Sequence, residues 1–218
     1  DNGDPQFTKW FSWVDQAYSP DLNSWAVLTA FQNAVHTLED CQPQAQQLQA
    51  IKRLLYTAET SCYWYWTGQA VWDQQVTQAV NHGMALIGNQ INDIVQARQD
   101  KTAPTIFMPW IRPANPGGKD WGSGGLIDAA SAATLYTFIY DVSGIARAIL
   151  HCHYEDSSTQ QFELLDQGHY PSQTNPVMIA QYYKRVLPIV KGRVRYFIEA
   201  WDQQQNVAYS SVGGIEMM

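Results

Sequence analysis

The chain has 218 residues, 45% hydrophobic and 15% charged, with a formal net charge of −7 at pH 7 and a pI of about 5.0. That apolar content is enough for two modest domains and excludes an intrinsically disordered chain. The acidic balance and the lack of any Lys/Arg cluster argue against nucleic-acid and anionic-membrane partners, and no stretch is long and apolar enough to span a bilayer as a helix.

Asp1-Asn2-Gly3-Asp4-Pro5 reads as a loop, lacks an initiator Met and shows no signal-peptide pattern. Residue 1 is expected to be an internal position of a longer precursor. Localisation stays unassigned, with a lean toward secreted or periplasmic. Pro20 and Asp21 then precede Trp25, Leu28, Gln32, Val35 and Leu38, which recur at helical spacing, with Asp21 or Asn23 as the expected cap. Pro43 opens a second helix carrying Leu48, Ile51, Leu55 and Ala58. The short connection between these helices predicts antiparallel packing. A third helical pattern after Gly68 runs through Trp72, Val76, Val80, Ile87, Ile91, Ile94 and Val95, weakened and bent by Gly83 and Gly88.

Near residue 102 the hydrophobic period changes from helical to alternating. Residues 105–111 are β-prone, and the Gly-rich stretch 115–125 around Trp121 reads as a long loop. Further strands are predicted over 135–140, 145–154, 177–187, 194–201 and 207–212. Within 145–154, Ala146, Ala148, Leu150, Cys152 and Tyr154 should face one way, and Arg147, Ile149, His151 and His153 the other. The expected fold is α+β in two segments: a helical bundle over 1–101 and an antiparallel β-sandwich over 102–218.

Three Cys make no disulfide framework. Cys41 and Cys62 fall at opposite ends of one helix, too far apart to bridge, and all three, Cys152 included, are expected as buried thiols. His151 and His153 share a strand face but lack a third ligand, so an exposed strand face is the simpler reading. Asp141-Val142-Ser143-Gly144 is a turn between strands. With no nucleophile elbow, phosphate loop or dinucleotide fingerprint, no cofactor and no metal are expected.

Nine Trp and twelve Tyr are the unusual feature. Flat, amphipathic rings suit the apolar face of a sugar, but they also fill cores and interfaces. The sharpest run is Ala58-Glu59-Thr60-Ser61-Cys62-Tyr63-Trp64-Tyr65-Trp66-Thr67-Gly68. Successive helical residues point about 100° apart, so four consecutive large rings cannot all be buried on one face. Some of them must meet a neighbouring domain, which is the favoured reading, a ligand such as a glycan, or solvent.

This run resembles the segment after the catalytic barrel in glycoside hydrolase family 57, where the usual pattern is close to Ala-Glu-x-Ser-Asp-Trp-x-Trp-Trp-x-Gly. The resemblance is strong over about ten residues of this run and loose over the first hundred. It implies a helical region that packs on a distorted barrel and helps wall an α-glucan cleft. Trp64 and Trp66 would line that cleft, with Tyr63, Tyr65, Trp72 and Glu59 as further candidate substrate contacts; separately, the Gly-rich loop either presents Trp110 and Trp121 to a glycan or simply connects domains. One departure is Cys62, which stands where the family has an acid, so any polar role of that carboxylate is lost. The family's catalytic Glu and Asp lie on barrel strands upstream, and nothing in this chain matches those strands. Glycosidase chemistry needs two carboxylates about 5–10 Å apart across the scissile bond, and only Glu59 and Asp73 lie near the aromatic run.

A second resemblance covers 183–208. Tyr183-Lys184-Arg185-Val186-Leu187-Pro188, Gly192, residues 194–202 and Asn206-Val207-Ala208 are similar to the closing hairpin of bacterial immunoglobulin-like or fibronectin type III-like modules. Together the two resemblances imply the non-catalytic C-terminal part of an α-glucan-acting glycoside hydrolase. Its partners would be the upstream barrel, in the same precursor or as a separate chain, and polysaccharide. The competing expectation is a stand-alone binding or assembly module with an aromatic protein interface.

Overall fold

The computed structural model describes residues 19–64, 70–112, 132–172, 174–188 and 192–217. Among the described residues four helices come first: α1 (Ser19–Cys41), α2 (Leu48–Ala58), α3 (Ala70–Ile87) and α4 (Gln90–Gln96), with a 3-10 turn over Ser61–Tyr63 after α2. Ten described strands follow, in two five-stranded antiparallel sheets. The α+β reading in two segments is borne out. No described helix is long and apolar enough to cross a membrane.

α1 is the hub. Its residues are buried on nearly every side because it lies between the other helices and a sheet. Asp21 and Asn23 fall inside it, so neither caps the described start. Asn23 is buried and accepts a hydrogen bond from Ser172 instead. In α2 the expected stripe Leu48, Ile51, Leu55 and Ala58 is the buried face. Lys52 pairs with Glu39, while Gln32 reaches Glu59. A residue late in α1 thus meets one early in α2 and the reverse, which is the antiparallel hairpin that the short connection required.

The third helical pattern is two helices rather than one bent helix. Gly88 adopts φ +58, where a side chain is strained, and breaks the run between α3 and α4. Gly83 stays inside α3 for a different reason: a Cβ there would collide with the ring of Phe31 on α1. It is a packing glycine, not a hinge.

The first sheet runs β1 (Thr105–Ile106), β3 (Ala132–Tyr140), β7 (Gln181–Pro188), β6 (Leu165–His169), with β2 (Trp110–Arg112) also on β3. The second runs β10 (Gly213–Met217), β8 (Gly192–Asp202), β4 (Ile145–Tyr154), β5 (Thr159–Glu163), with β9 (Val207–Tyr209) also on β8. Inward residues of both sheets, among them Leu135, Ile139, Leu150, Cys152, Leu187, Tyr196 and Ile198, form the sandwich core. A second core lies within the helices. A third joins the segments: Leu22, Ala26 and Ala30 of α1 pack on Trp110, Phe138 and Ala180.

The alternation read in β4 holds for Ala148, Leu150 and Cys152, all buried. Ala146 departs from it and is exposed, because the β4–β8 register shifts between Ile145 and Arg147. The strand expected from 177 begins only at Gln181. β5, β6 and β10 were not anticipated; the first two are almost wholly exposed and carry no alternating apolar signal. Of the Cys residues, which are all free, Cys152 is buried, Cys41 half-buried and Cys62 exposed, so the expectation of three buried thiols fails at Cys62.

Candidate functional site

Three arrangements of side chains carry chemistry. The first is the aromatic run. The C-terminus of α2 places Glu59 as its C-cap, exposed, with its carboxylate accepting from Gln32 Nε2 at 2.8 Å. The 3-10 turn then sets Tyr63 half-buried, its ring 6.2 Å from that of Trp72 at the start of α3. Trp64, next in sequence, turns the other way. It is 2% exposed and stacks on Trp25 of α1 with centroids 3.7 Å apart and planes 12° apart. Among the described residues its Nε1–H has no acceptor, a costly state for a buried donor. Trp25 continues the stack to Phe107, Trp110 and Phe138, so an aromatic seam runs from the helices onto the outer face of the first sheet. Tyr136 and Tyr182 extend it as parallel rings 5.7 Å apart.

Of the anticipated contacts, the structure brings Tyr63 and Trp72 together, while Trp64 turns to Trp25 and Glu59 to Gln32. Tyr65, Trp66 and Trp121 lie outside the described residues. Tyr63 and Trp72 keep open ring surface, whereas one face of Trp64 is taken by Trp25. Asp73, next to Trp72, is buried and accepts from Ser24 Oγ at 3.1 Å. It sits in the first turn of α3, where the helix dipole favours an anion. Glu59 and Asp73 are each engaged by a neighbouring side chain, in positions that hold helices rather than flank an open cleft.

The second arrangement was not read from the sequence. Asp100 after α4, Asp141 in the β3–β4 turn and Asp202 at the end of β8 are all buried, with carboxylate oxygens within 4.8 Å of one another. Each accepts from a backbone N–H two residues on: Thr102, Ser143 and Gln204 respectively. Ser143 Oγ donates to Asp100, Asn33 Nδ2 to Asp141, and Asn206 Nδ2 to Asp202. Burial pushes the Asp141 carboxyl up to about 8. The Ser143 N–H and Asn33 oppose this, and the charges of Asp100 and Asp202 add to it. Three carboxylates this close suit either a shared proton or a hard cation. The internal hydrogen bonds, which already engage each carboxylate, fit the proton. Only the local signature was legible, an Asp opening each turn; the meeting of positions 100, 141 and 202 was not.

The third lies on the outer face of the second sheet. His151 Nε2 meets Glu199 at 2.8 Å, and Tyr209 Oη donates to the same carboxylate at 3.0 Å. That hydrogen bond raises the Tyr209 phenol above its ordinary range. Phe197 stacks on His151 with centroids 4.6 Å apart, and also neighbours His153 and Tyr209. Arg147 sits 3.9 Å over the Trp201 ring. His151 therefore pairs with a carboxylate rather than with His153, in keeping with the strand-face reading.

No family model matches the chain, and no curated protein matches it. Among solved structures, part of the chain is similar to the cycloalternan-degrading enzyme from Trueperella pyogenes, at 10% identity and a TM-score of 0.34, over 48% of this chain and 14% of that one. Another similar structure is a bromine derivative of BhCBM56, at 6% identity and a TM-score of 0.26, over 38% of this chain and 76% of that one. The chain thus spans about a seventh of the cycloalternan-degrading enzyme's length. Likeness at this level carries no argument about function.

Proposed function

We propose that this chain is the non-catalytic C-terminal part of a carbohydrate-active enzyme, of the kind that acts on α-glucan. The helical segment supports an upstream barrel, and the sandwich, of immunoglobulin or fibronectin III type, stabilises it and contacts polysaccharide. One observation carries the reading. The family 57-like motif folds so that the Trp25–Trp64 stack anchors the turn from beneath, while Tyr63 and Trp72 stay part-open beside each other. A motif built only to fill this chain's own core has no need to leave those two rings part-open.

The test is titration of the full chain with maltoheptaose and amylose, followed by Trp fluorescence. A saturable change is expected. Silence toward every soluble glucan, together with self-association in gel filtration, refutes the reading and favours the assembly module with an aromatic interface. Val71, beside Trp72 and more than half exposed, is the feature that speaks for that second reading. Trp72→Ala then decides whether the helical edge itself touches sugar.

A further inference from the structure

The outer faces of the two sheets differ. The first is covered by α1 through Trp110 and Phe138. The second carries side chains that reach solvent: Arg147, His153, Gln161, Glu163 and Arg195 are exposed, and Tyr209 is 60% exposed. Among the described residues no helix packs on it.

This face is nevertheless ordered. The cross-strand pairs Arg147–Trp201, His151–Phe197 and His153–Arg195 run down its two central strands, β4 and β8. Phe197 lies between the two imidazoles, and Glu199 is held by His151 from one side and Tyr209 from the other. Aromatic surface therefore alternates with fixed donors and acceptors. From Arg147 to His153 the track is about 20 Å long at the usual rise of a strand. Open depressions flank it: one of about 320 Å³ beside Arg147 and Glu163, and one of about 410 Å³ beside Arg195, where Gly214 leaves the edge strand bare. An open track of this length suits an extended chain rather than a compact small molecule.

Charge narrows the ligand. The whole chain is at −7, yet this face is balanced, with Arg147 and Arg195 against Glu163 and Glu199. A balanced field neither selects a polyanion nor repels one. It offers donors and acceptors to an uncharged polyhydroxylated chain, whose apolar ring faces need aromatic surface.

We propose that the His151–Phe197–Glu199–Tyr209 face of the second sheet binds an extended neutral polysaccharide. This rests on the carbohydrate reading above and gives that reading a site distinct from the Tyr63–Trp72 edge.

Affinity electrophoresis of the full chain in gels containing amylose, dextran or laminarin tests it, with Tyr209→Ala, Arg195→Ala and Trp72→Ala in parallel and thermal melts confirming that each variant folds. Tyr209 and Arg195 are exposed, so both variants should fold. The expected result is retardation by at least one neutral glucan, weakened about tenfold by Tyr209→Ala and less by Arg195→Ala. Binding lost in Trp72→Ala but intact in both sheet variants overturns this face while leaving the carbohydrate reading standing. Retardation by polygalacturonate and by no neutral glucan overturns the ligand class. A wild-type chain that no glycan retards overturns both the face and the reading it rests on.

Discussion

Asp141 should make the stability of this protein fall as pH rises through neutrality. It is 3% exposed, faces the carboxylates of Asp100 and Asp202, and has its carboxyl pushed up from 3.8 to about 8, chiefly by burial. The folded state therefore holds a proton that the unfolded state releases near pH 4. Between those two values the native chain binds more protons, so stability declines with pH, and above about pH 8 the contribution is flat. The benefit is fully present below about pH 4 and lost as pH climbs through the folded value. One titrating group gives a slope of about 1.4 kcal/mol per pH unit, or about 3 kcal/mol across two units. Asp141→Asn removes the titration while keeping the shape, so the difference between wild type and variant isolates it from the other carboxylates and the five His. Urea unfolding at several pH values from about 5 to 9 measures that difference. The variant should gain on wild type steadily up to about pH 8 and then run parallel. A difference that is flat across this range, or one in which wild type gains with rising pH, refutes the shared-proton description of the cluster.

Gly83→Ala should cost about 1–3 kcal/mol by driving a methyl group into the Phe31 ring. Gly88→Ala meets no neighbour and should cost only about 1 kcal/mol through its positive φ; chemical denaturation of the two variants separates overpacking from backbone strain. Trp64→Ala should cost about 3–5 kcal/mol, since it removes a buried indole stacked on Trp25. A melting temperature unchanged in that variant would mean the stack does not anchor the turn. With a thiol-reactive disulfide reagent, exposed Cys62 should react at once, whereas buried Cys152, its thiol pushed up to about 11 by burial, should react only on unfolding.

The legible part of the fold was the part with strong local period. α2 shows this best, because a single stripe of four apolar residues met a single buried face. β4 and β8 alternate for the same reason. What escaped lay where sequence and burial decouple. β5 and β6 are almost entirely solvent-facing, so their side chains report no inside, and only neighbouring backbones make them strands. The α3–α4 break depended on one glycine's φ, which a helical periodicity running through both helices concealed. In the candidate site, the aromatic run announced itself through composition. Its division into buried Trp64 and part-open Tyr63 depended on where α1 placed Trp25, 39 positions away from Trp64 in the chain. The Asp100–Asp141–Asp202 cluster is the limiting case, since each residue alone looks like an ordinary turn-opening Asp.

The change of period near residue 102 marks where helices give way to strands, and the two sides of it are tied together. Leu22, Ala26 and Ala30 on one side share a core with Trp110, Phe138 and Ala180 on the other. Asn33 hydrogen-bonds Asp141 and the Val142 N–H, and Asn206 donates to the Asp100 carbonyl. The Ala180 N–H donates to the Ala26 carbonyl near the middle of α1. A chain cut at this point would uncover Trp110 and Phe138, leave Asp141 without Asn33, and strip α1 of an entire packed face. Residues 102–218 expressed alone are therefore expected to aggregate or to unfold far below the melting temperature of the intact chain, with mixing of the separate halves restoring stability. A sandwich that melted alone at the temperature of the whole chain would show that the shared core contributes nothing. The helices and the sandwich would then be joined only by their linker, and the exposed face of the second sheet could act wherever that linker let it reach.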